Sequence, residues 1–272
     1  MEKLKKQIEE VVEIYKSRDF TRAEKLTREL IINNPKVVFL YNLLGLILVE
    51  EKKIEEAEAF YNKGLKIDGR FAMIYNNLGH LYANHKIKND FSNFDKAKYF
   101  YKKSISLNKN LPEPHNNLGT LYSSLNKIDK AIKSYKEAIN INSNFSIAYH
   151  NLGNAYISLG KMKEAKNSLL QATKLSPNLI IAHRTLSRLI KYTEKDEHFK
   201  TLVEMYKKTK NDNSEIKMEL AFALGKAYED IRNFKKSFSF YEEANLINRK
   251  KINFSIEKEK SNFDEIKNIY NK

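Results

Sequence analysis

One run of polar and apolar positions recurs four times along the chain: Tyr41-Asn42-Leu43-Leu44-Gly45, Tyr75-Asn76-Asn77-Leu78-Gly79, His115-Asn116-Asn117-Leu118-Gly119 and Tyr149-His150-Asn151-Leu152-Gly153. The glycines step by 34, 40 and 34 residues. A second set of small residues follows in step, at Ala57, Ala97, Ala131 and Ala165. Four residues after each comes a bulky one, Tyr61, Tyr101, Tyr135 or Leu169, and three further on another small one, Gly64, Ser104, Ala138 or Ala172. Small residues at such intervals belong where two antiparallel helices come closest, because a larger side chain would push the backbones apart. Tyr82, Tyr122 and Tyr156 then fill the volume beside those contacts, and polar runs such as Asn126-Lys127-Ile128-Asp129 form the short turns between helices.

This pattern resembles the tetratricopeptide repeat, whose period is 34 and whose signature is Leu-Gly, an aromatic and spaced alanines. The resemblance implies an all-α fold: a right-handed superhelical solenoid of about seven helix pairs plus a C-terminal helix. The register lays out repeats at 4–37, 38–71, 72–111, 112–145, 146–179, 180–213 and 218–251. The first keeps Ala23 and Pro35 but has Glu10-Val11 in place of Leu-Gly, as suits a cap whose outer face meets water. The sixth is degenerate, with Leu186-Ser187 in that place, and the last carries Leu224-Gly225, Tyr228, Tyr241 and Ala244. The expected division is therefore five repeats over 1–179, the degenerate and final repeats over 180–251, and an amphipathic helix over 252–272 with Phe263, Ile266, Ile269 and Tyr270 on one face. No single pair buries its apolar face alone, so stability comes from stacking neighbours. The six extra residues of the 40-residue step fall between Asn84 and Asn93 and read as a surface insertion, with a partner-contact loop as the alternative.

Composition agrees with helix. Eight glycines and four prolines are too few for a sheet protein with many tight turns. Without cysteine, disulfide stapling and thiolate metal sites are excluded. The charged N-terminus lacks the apolar core of a signal peptide, and no run reaches the roughly 18 apolar residues of a membrane span, so the expectation is a soluble, cytoplasmic protein. The net charge of +15 raises a nucleic-acid-associated adaptor as one alternative. Such binding needs basic residues gathered on one surface with aromatics free to stack. Here the tyrosines serve the repeat core, and the lysines are scattered among glutamates and accompany an Asn- and Ile-rich composition.

In stacked helix pairs of this kind the first helices line a concave side. Their exposed positions are expected to include Asn42, Asn76, Asn77, His80, Asn84, Asn116, Asn117, Thr120, Ser124, His150, Asn151, Asn154 and Ser158, a polar but nearly uncharged face. An asparagine amide offers both a donor and an acceptor and can pair two-pronged with a peptide unit. The row Asn77, Asn117, Asn151 resembles the asparagine ladder in the repeats of O-linked N-acetylglucosamine transferases, which implies gripping an extended polypeptide. The alternative is that these asparagines bind neighbouring repeats to one another. Asn42, Asn76 and Asn116 stand where other repeat proteins place the first lysine of a carboxylate clamp, which argues against that function. Arg184 and Arg188, four apart, put two guanidinium groups on one face, where they would fork a carboxylate or phosphate or simply be solvated.

No catalytic cluster assembles from the residues. His80 and His85 are five apart, off a common helix face. His115 and His183 take the position of Tyr75 and Tyr149, a packing place. Leu224-Gly225-Lys226-Ala227 lacks the earlier glycine and the hydroxyl residue of a phosphate loop. Residues 180–272 resemble, in wording, bacterial proteins that join tetratricopeptide repeats to a sulfotransferase domain. That implies a substrate-recruiting arm of a split or truncated enzyme, although the Gly-rich loop that cradles the sulfate donor's phosphate is not found up to Lys272. The expected function is a non-enzymatic scaffold, without cofactor or metal, that holds a protein or extended peptide along its concave face.

Overall fold

In a computed structural model, described over residues 2–84, 93–209 and 215–252, every regular element is a helix. The insertion at 85–92, with His85, and the helix expected beyond Ile252 lie outside the described residues. Fourteen helices follow one another: α1 (Glu2–Lys16), α2 (Phe20–Asn33), α3 (Val38–Glu50), α4 (Ile54–Ile67), α5 (Ala72–Asn84), α6 (Asn93–Leu107), α7 (Pro112–Ser124), α8 (Ile128–Ile141), α9 (Ser146–Ser158), α10 (Met162–Leu175), α11 (Ile180–Ser187), α12 (Glu197–Lys208), α13 (Glu215–Asp230) and α14 (Phe234–Ile252). They gather into two compact units, Met1–Leu159 and Gly160–Lys272.

One turn joins the helices within most pairs. Arg18, Lys52, Asn126, Gly160 and Arg232 all adopt positive φ, between 55° and 70°, just past the end of the first helix. The following backbone N–H reaches back to the last turn: Lys53 to Leu48 O at 2.8 Å, Lys127 to Tyr122 O at 2.8 Å and Asn233 to Tyr228 O at 2.9 Å. This is a Schellman closure, which satisfies carbonyls the helix end would leave unpaired. Only one of the five positions is glycine. At the others a side chain bears the left-handed backbone's cost of roughly 1–2 kcal/mol so that the next helix can fold back at once.

The helices of a pair meet through a glycine and a tyrosine. A Cβ on Gly79 would lie 2.6 Å from the Tyr101 ring, one on Gly119 2.6 Å from Tyr135, and one on Gly225 2.7 Å from Tyr241. Ala57, Ala97, Ala131 and Ala165 are fully buried, as the spacing predicts. In the first unit the core runs from Leu44 and Leu48 through Tyr61, Ile74, Leu78 and Leu81 to Tyr101, Leu118 and Leu121.

The second unit is less regular. Helix α11 spans only 8 residues, and an irregular stretch leads from it to α12. Ser187, in the glycine's place, is fully buried, and its hydroxyl donates to Arg184 O at 2.7 Å. Tyr192, inside the irregular stretch, is buried with Phe199, Leu202, Leu220 and Leu224.

Candidate partner-binding face

The asparagines of the first helices form one hydrogen-bonded chain. Asn151 Nδ2 donates to Asn116 Oδ1 at 2.9 Å, and Asn116 Nδ2 to Asn117 Oδ1 at 3.4 Å. Asn117 Nδ2 then donates to Asn76 Oδ1 at 3.0 Å, Asn76 Nδ2 to Asn77 Oδ1 at 3.3 Å, and Asn77 Nδ2 to Asn42 Oδ1 at 2.8 Å. Five bonds, all running the same way, tie α3, α5, α7 and α9 together. The expectation of a uniformly exposed row needs correcting at three residues. Asn42 is 1% exposed and Asn116 6%, and His150 is buried as well. For Asn42 and Asn116 the cause is the approach of the next repeat, whose first helix brings Asn77 or Asn151 to pair with them, and a buried amide is tolerable only when paired.

The other members keep access to solvent. Asn76, Asn77, Asn117 and Asn151 are half-buried, while His80, Thr120 and Asn154 are exposed. In Asn77 and Asn117 the chain uses one N–H and one oxygen lone pair, so each retains a second of both. Beside Asn117 lies a cleft of about 280 Å³ between α5 and α7, lined also by Tyr101 and Phe94. His80, Asn84, Asn117, Thr120 and Ser124, all expected on this face, line it together. Thr120 Oγ1 donates to Asn116 O at 3.2 Å and accepts from the Tyr135 hydroxyl at 3.4 Å, which fixes it at the cleft wall. Beyond the end of the chain, Asn154 Nδ2 donates to His150 Nε2 at 3.1 Å. Burial holds the His150 imidazole below the usual histidine range and keeps it neutral. The residues named on this face are polar and include no Lys, Arg, Asp or Glu.

Arg184 is a second correction. Its guanidinium already forks a carboxylate within the chain, since Nη1 donates to Glu219 Oε1 at 2.9 Å and Oε2 at 2.6 Å. It also lies 4.4 Å from the centroid of the Phe222 ring. The group expected to receive a ligand therefore joins α11 to α13, and only Arg188, at the C-cap of α11, is exposed.

A cluster the sequence did not reveal sits in the second unit. His183 Nε2 donates to Pro177 O at 3.0 Å, which leaves Nδ1 bare to accept from His198 Nε2 at 2.9 Å. His198 Nδ1 accepts in turn from the Tyr192 hydroxyl at 2.7 Å. The two imidazoles, joined edge to edge by their hydrogen bond, are nearly parallel, with an interplanar angle of 2° and centroids 5.1 Å apart. Since a proline carbonyl can only accept, these tautomers follow from the partners, and both rings are neutral. Burial, together with the His183 ring, pushes His198 down to about 4. Burial also lowers His183 and raises the Tyr192 hydroxyl. From α13, Asp230 accepts the Tyr192 backbone N–H at 2.9 Å, and Lys226 bonds both Asp230 and Ile190 O. Together these contacts hold the irregular stretch in place. Among the described residues no group of three or more His, Asp or Glu is arranged to hold a metal ion.

The architecture and this face define an all-α protein of stacked helix pairs. Parts of it match tetratricopeptide-repeat families: residues 40–71 and 147–179 match the one described as tetratricopeptide repeat, as do 100–133, and residues 119–160 match the one described as TPR repeat. Solved structures agree. A thermophilic tetratricopeptide-repeat protein of Thermus thermophilus superposes with TM-score 0.60 at 17% identity, over 68% of this chain and 98% of that one. PilF of Pseudomonas aeruginosa gives 0.58 at 18%, over 84% and 97%. A chain of the APC/C hetero-tetramer Cut9–Hcn1 gives 0.62 at 16%, over 89% and 42%. At such identities the likeness is one of fold. No curated protein matches the sequence. Among the described residues no helix is long and apolar enough to cross a membrane.

Proposed function

We propose that the protein is a non-enzymatic scaffold that holds an extended polypeptide along the face made by its first helices, with the cleft between α5 and α7 as the centre of contact. The observation that carries this reading is the row of half-buried amides. Asn77 and Asn117 each present a spare donor and a spare acceptor, and Asn117 lines the polar cleft, a match for the alternating N–H and C=O of an extended backbone. The amide chain gives the row its rigidity, so a ligand meets donors already in place. Both readings of the asparagines are thereby combined: one half of each amide joins repeats and the other half faces outward. A sulfotransferase-recruiting role for the same groove rests on the wording of residues 180–272 alone.

Selection from a displayed library of random peptides, followed by side-chain amide NMR on the full chain, tests this. Selected peptides are expected to shift the Asn77 and Asn117 signals, and Thr120→Val with His80→Ala to weaken binding about tenfold with the helical circular dichroism unchanged. Peptides that shift signals only elsewhere, or failure to enrich any peptide, would sink the proposal.

A further inference from the structure

Phe60, Phe100 and Phe240 each stand one residue before the tyrosine that meets the repeat glycine. Their rings fill the side of the pair away from the asparagines. Phe100 stacks on Tyr82 at 5.5 Å and lies 6.3 Å from Tyr75. Phe60 lies 6.4 Å from Tyr41, and Phe240 stacks on Tyr228 at 5.4 Å. In α8 that place, before Tyr135, is held by Ser134, whose hydroxyl turns back to donate to Lys130 O at 3.0 Å. Between α6 and α8 there is instead a cleft of about 310 Å³, walled by Ile105, His115, Leu118 and Tyr122. His115 and Tyr122 are the counterparts of Tyr75 and Tyr82, the two residues Phe100 touches one repeat earlier. The walls of the socket are retained, and the ring that fills it in α4, α6 and α14 is replaced by Ser134, as it is by Ser168 in α10. At the rim stand Lys130, Lys133 and Glu137, two cations to one anion, with Lys130 Nζ 6.0 Å from the centre of the Tyr122 ring.

We propose that the cleft between α6 and α8 receives the aromatic side chain of a partner polypeptide, a phenylalanine ring flanked by carboxylates, seated as Phe100 is seated in the preceding repeat. The apolar walls take the ring, His115 and Tyr122 offer aromatic contact, and Lys130 and Lys133 meet the acidic flanks. The site lies on the second-helix side, separate from the amide row, so its failure and that of the peptide-holding face are read at different residues.

The probes are two peptides, acetyl-Asp-Asp-Phe-Asp-Asp-amide and its alanine counterpart, titrated into the full chain by NMR. The phenylalanine peptide is expected to shift Leu118, Tyr122 and Ser134 and to bind at least about tenfold tighter than the alanine peptide, a difference of about 1.4 kcal/mol. Ser134→Phe fills the socket from within and is expected to abolish that preference while raising the melting temperature. Lys130→Glu with Lys133→Glu, both exposed, is expected to weaken binding several-fold at unchanged melting temperature, and it decides the matter should Ser134→Phe not fold. Equal shifts from both peptides, undiminished binding to a folded Ser134→Phe, or a stronger response to an oligothymidylate than to the phenylalanine peptide would each overturn the proposal.

Discussion

The place in the first helix that carries Asn42, Asn76 and Asn116 in the first unit carries Arg184 in the degenerate repeat of the second. Each makes the connection to a first helix one repeat further on, but by different chemistry. The first unit uses neutral amides in a chain of five bonds, which neither titrates nor responds to salt. The second uses an ion pair from Arg184 to Glu219 and, beside it, a chain of two histidines and a tyrosine. Where the helix is whole, equal spacing lets one amide pattern repeat. Where α11 stops after 8 residues, the irregular backbone has carbonyls and turns of its own to satisfy, and titratable groups do it. The amide junctions of the first unit should therefore be indifferent to pH and salt, and the Arg184 and His198 contacts of the second sensitive to them.

The largest effects test whether the two regions share a core of equal quality. Leu44→Ala and Leu202→Ala each remove a fully buried side chain and are expected to cost about 4 kcal/mol in denaturant unfolding. A cost under about 1 kcal/mol for Leu202→Ala would mean that the degenerate repeat is loosely packed, and the comparison would collapse. Next comes pH. His198, held down to about 4, binds its proton in the unfolded chain before the folded one. Its contribution is full above the ordinary histidine value near 6.5 and is lost as pH falls toward 4, a change on the order of 3 kcal/mol. Hydrogen exchange at pH 7 and pH 4.5 should show opening in α11 and α12 but not in α3, α5 and α7. His198→Gln should flatten that dependence. Asn116→Ala removes two links of the amide chain and leaves the Asn151 N–H and the Asn117 oxygen without their partners. The expected cost is about 2 kcal/mol, equal at both pH values. The smallest effect is at Arg184→Met. Its half-exposed pair with Glu219 is worth about 1 kcal/mol, and the difference from wild type should shrink in 1 M salt.

Much of this was legible in the residues, for reasons of geometry. Small side chains at helix contacts cannot be exchanged for large ones, so the Gly–Tyr meetings of Gly79 with Tyr101 and Gly119 with Tyr135 follow from spacing alone. The asparagine row was visible too, but not which of its members is buried. Asn42 and Asn77 occupy neighbouring positions on their helices, and what separates them is the approach of a helix 35 residues away in sequence. The same step of 35 connects Asn116 with Asn151 and Arg184 with Glu219. Complementary polar residues one repeat apart were thus the available signal, readable across repeats but not within one. The histidine chain offered no such signal. It depends on the path of 188–196, where helical periodicity has ended and nothing local places Tyr192 beside His198.

The direction of the amide chain has a consequence for how such an array changes length over evolution. Each inner repeat carries an asparagine doublet, Asn76-Asn77 or Asn116-Asn117, whose first member is a socket for the repeat that follows in the chain and whose second is a plug for the repeat that precedes it. The outer repeats carry half of that connector. Leu43 stands where Asn42 would need a plug beside it, and His150 where Asn151 would need a socket. A duplication that copies a doublet repeat whole inserts a piece with both fittings and leaves every junction matched, whereas copying an outer repeat inward breaks the line. Recombination can therefore lengthen or shorten this part of the protein by whole inner repeats without redesigning a single joint.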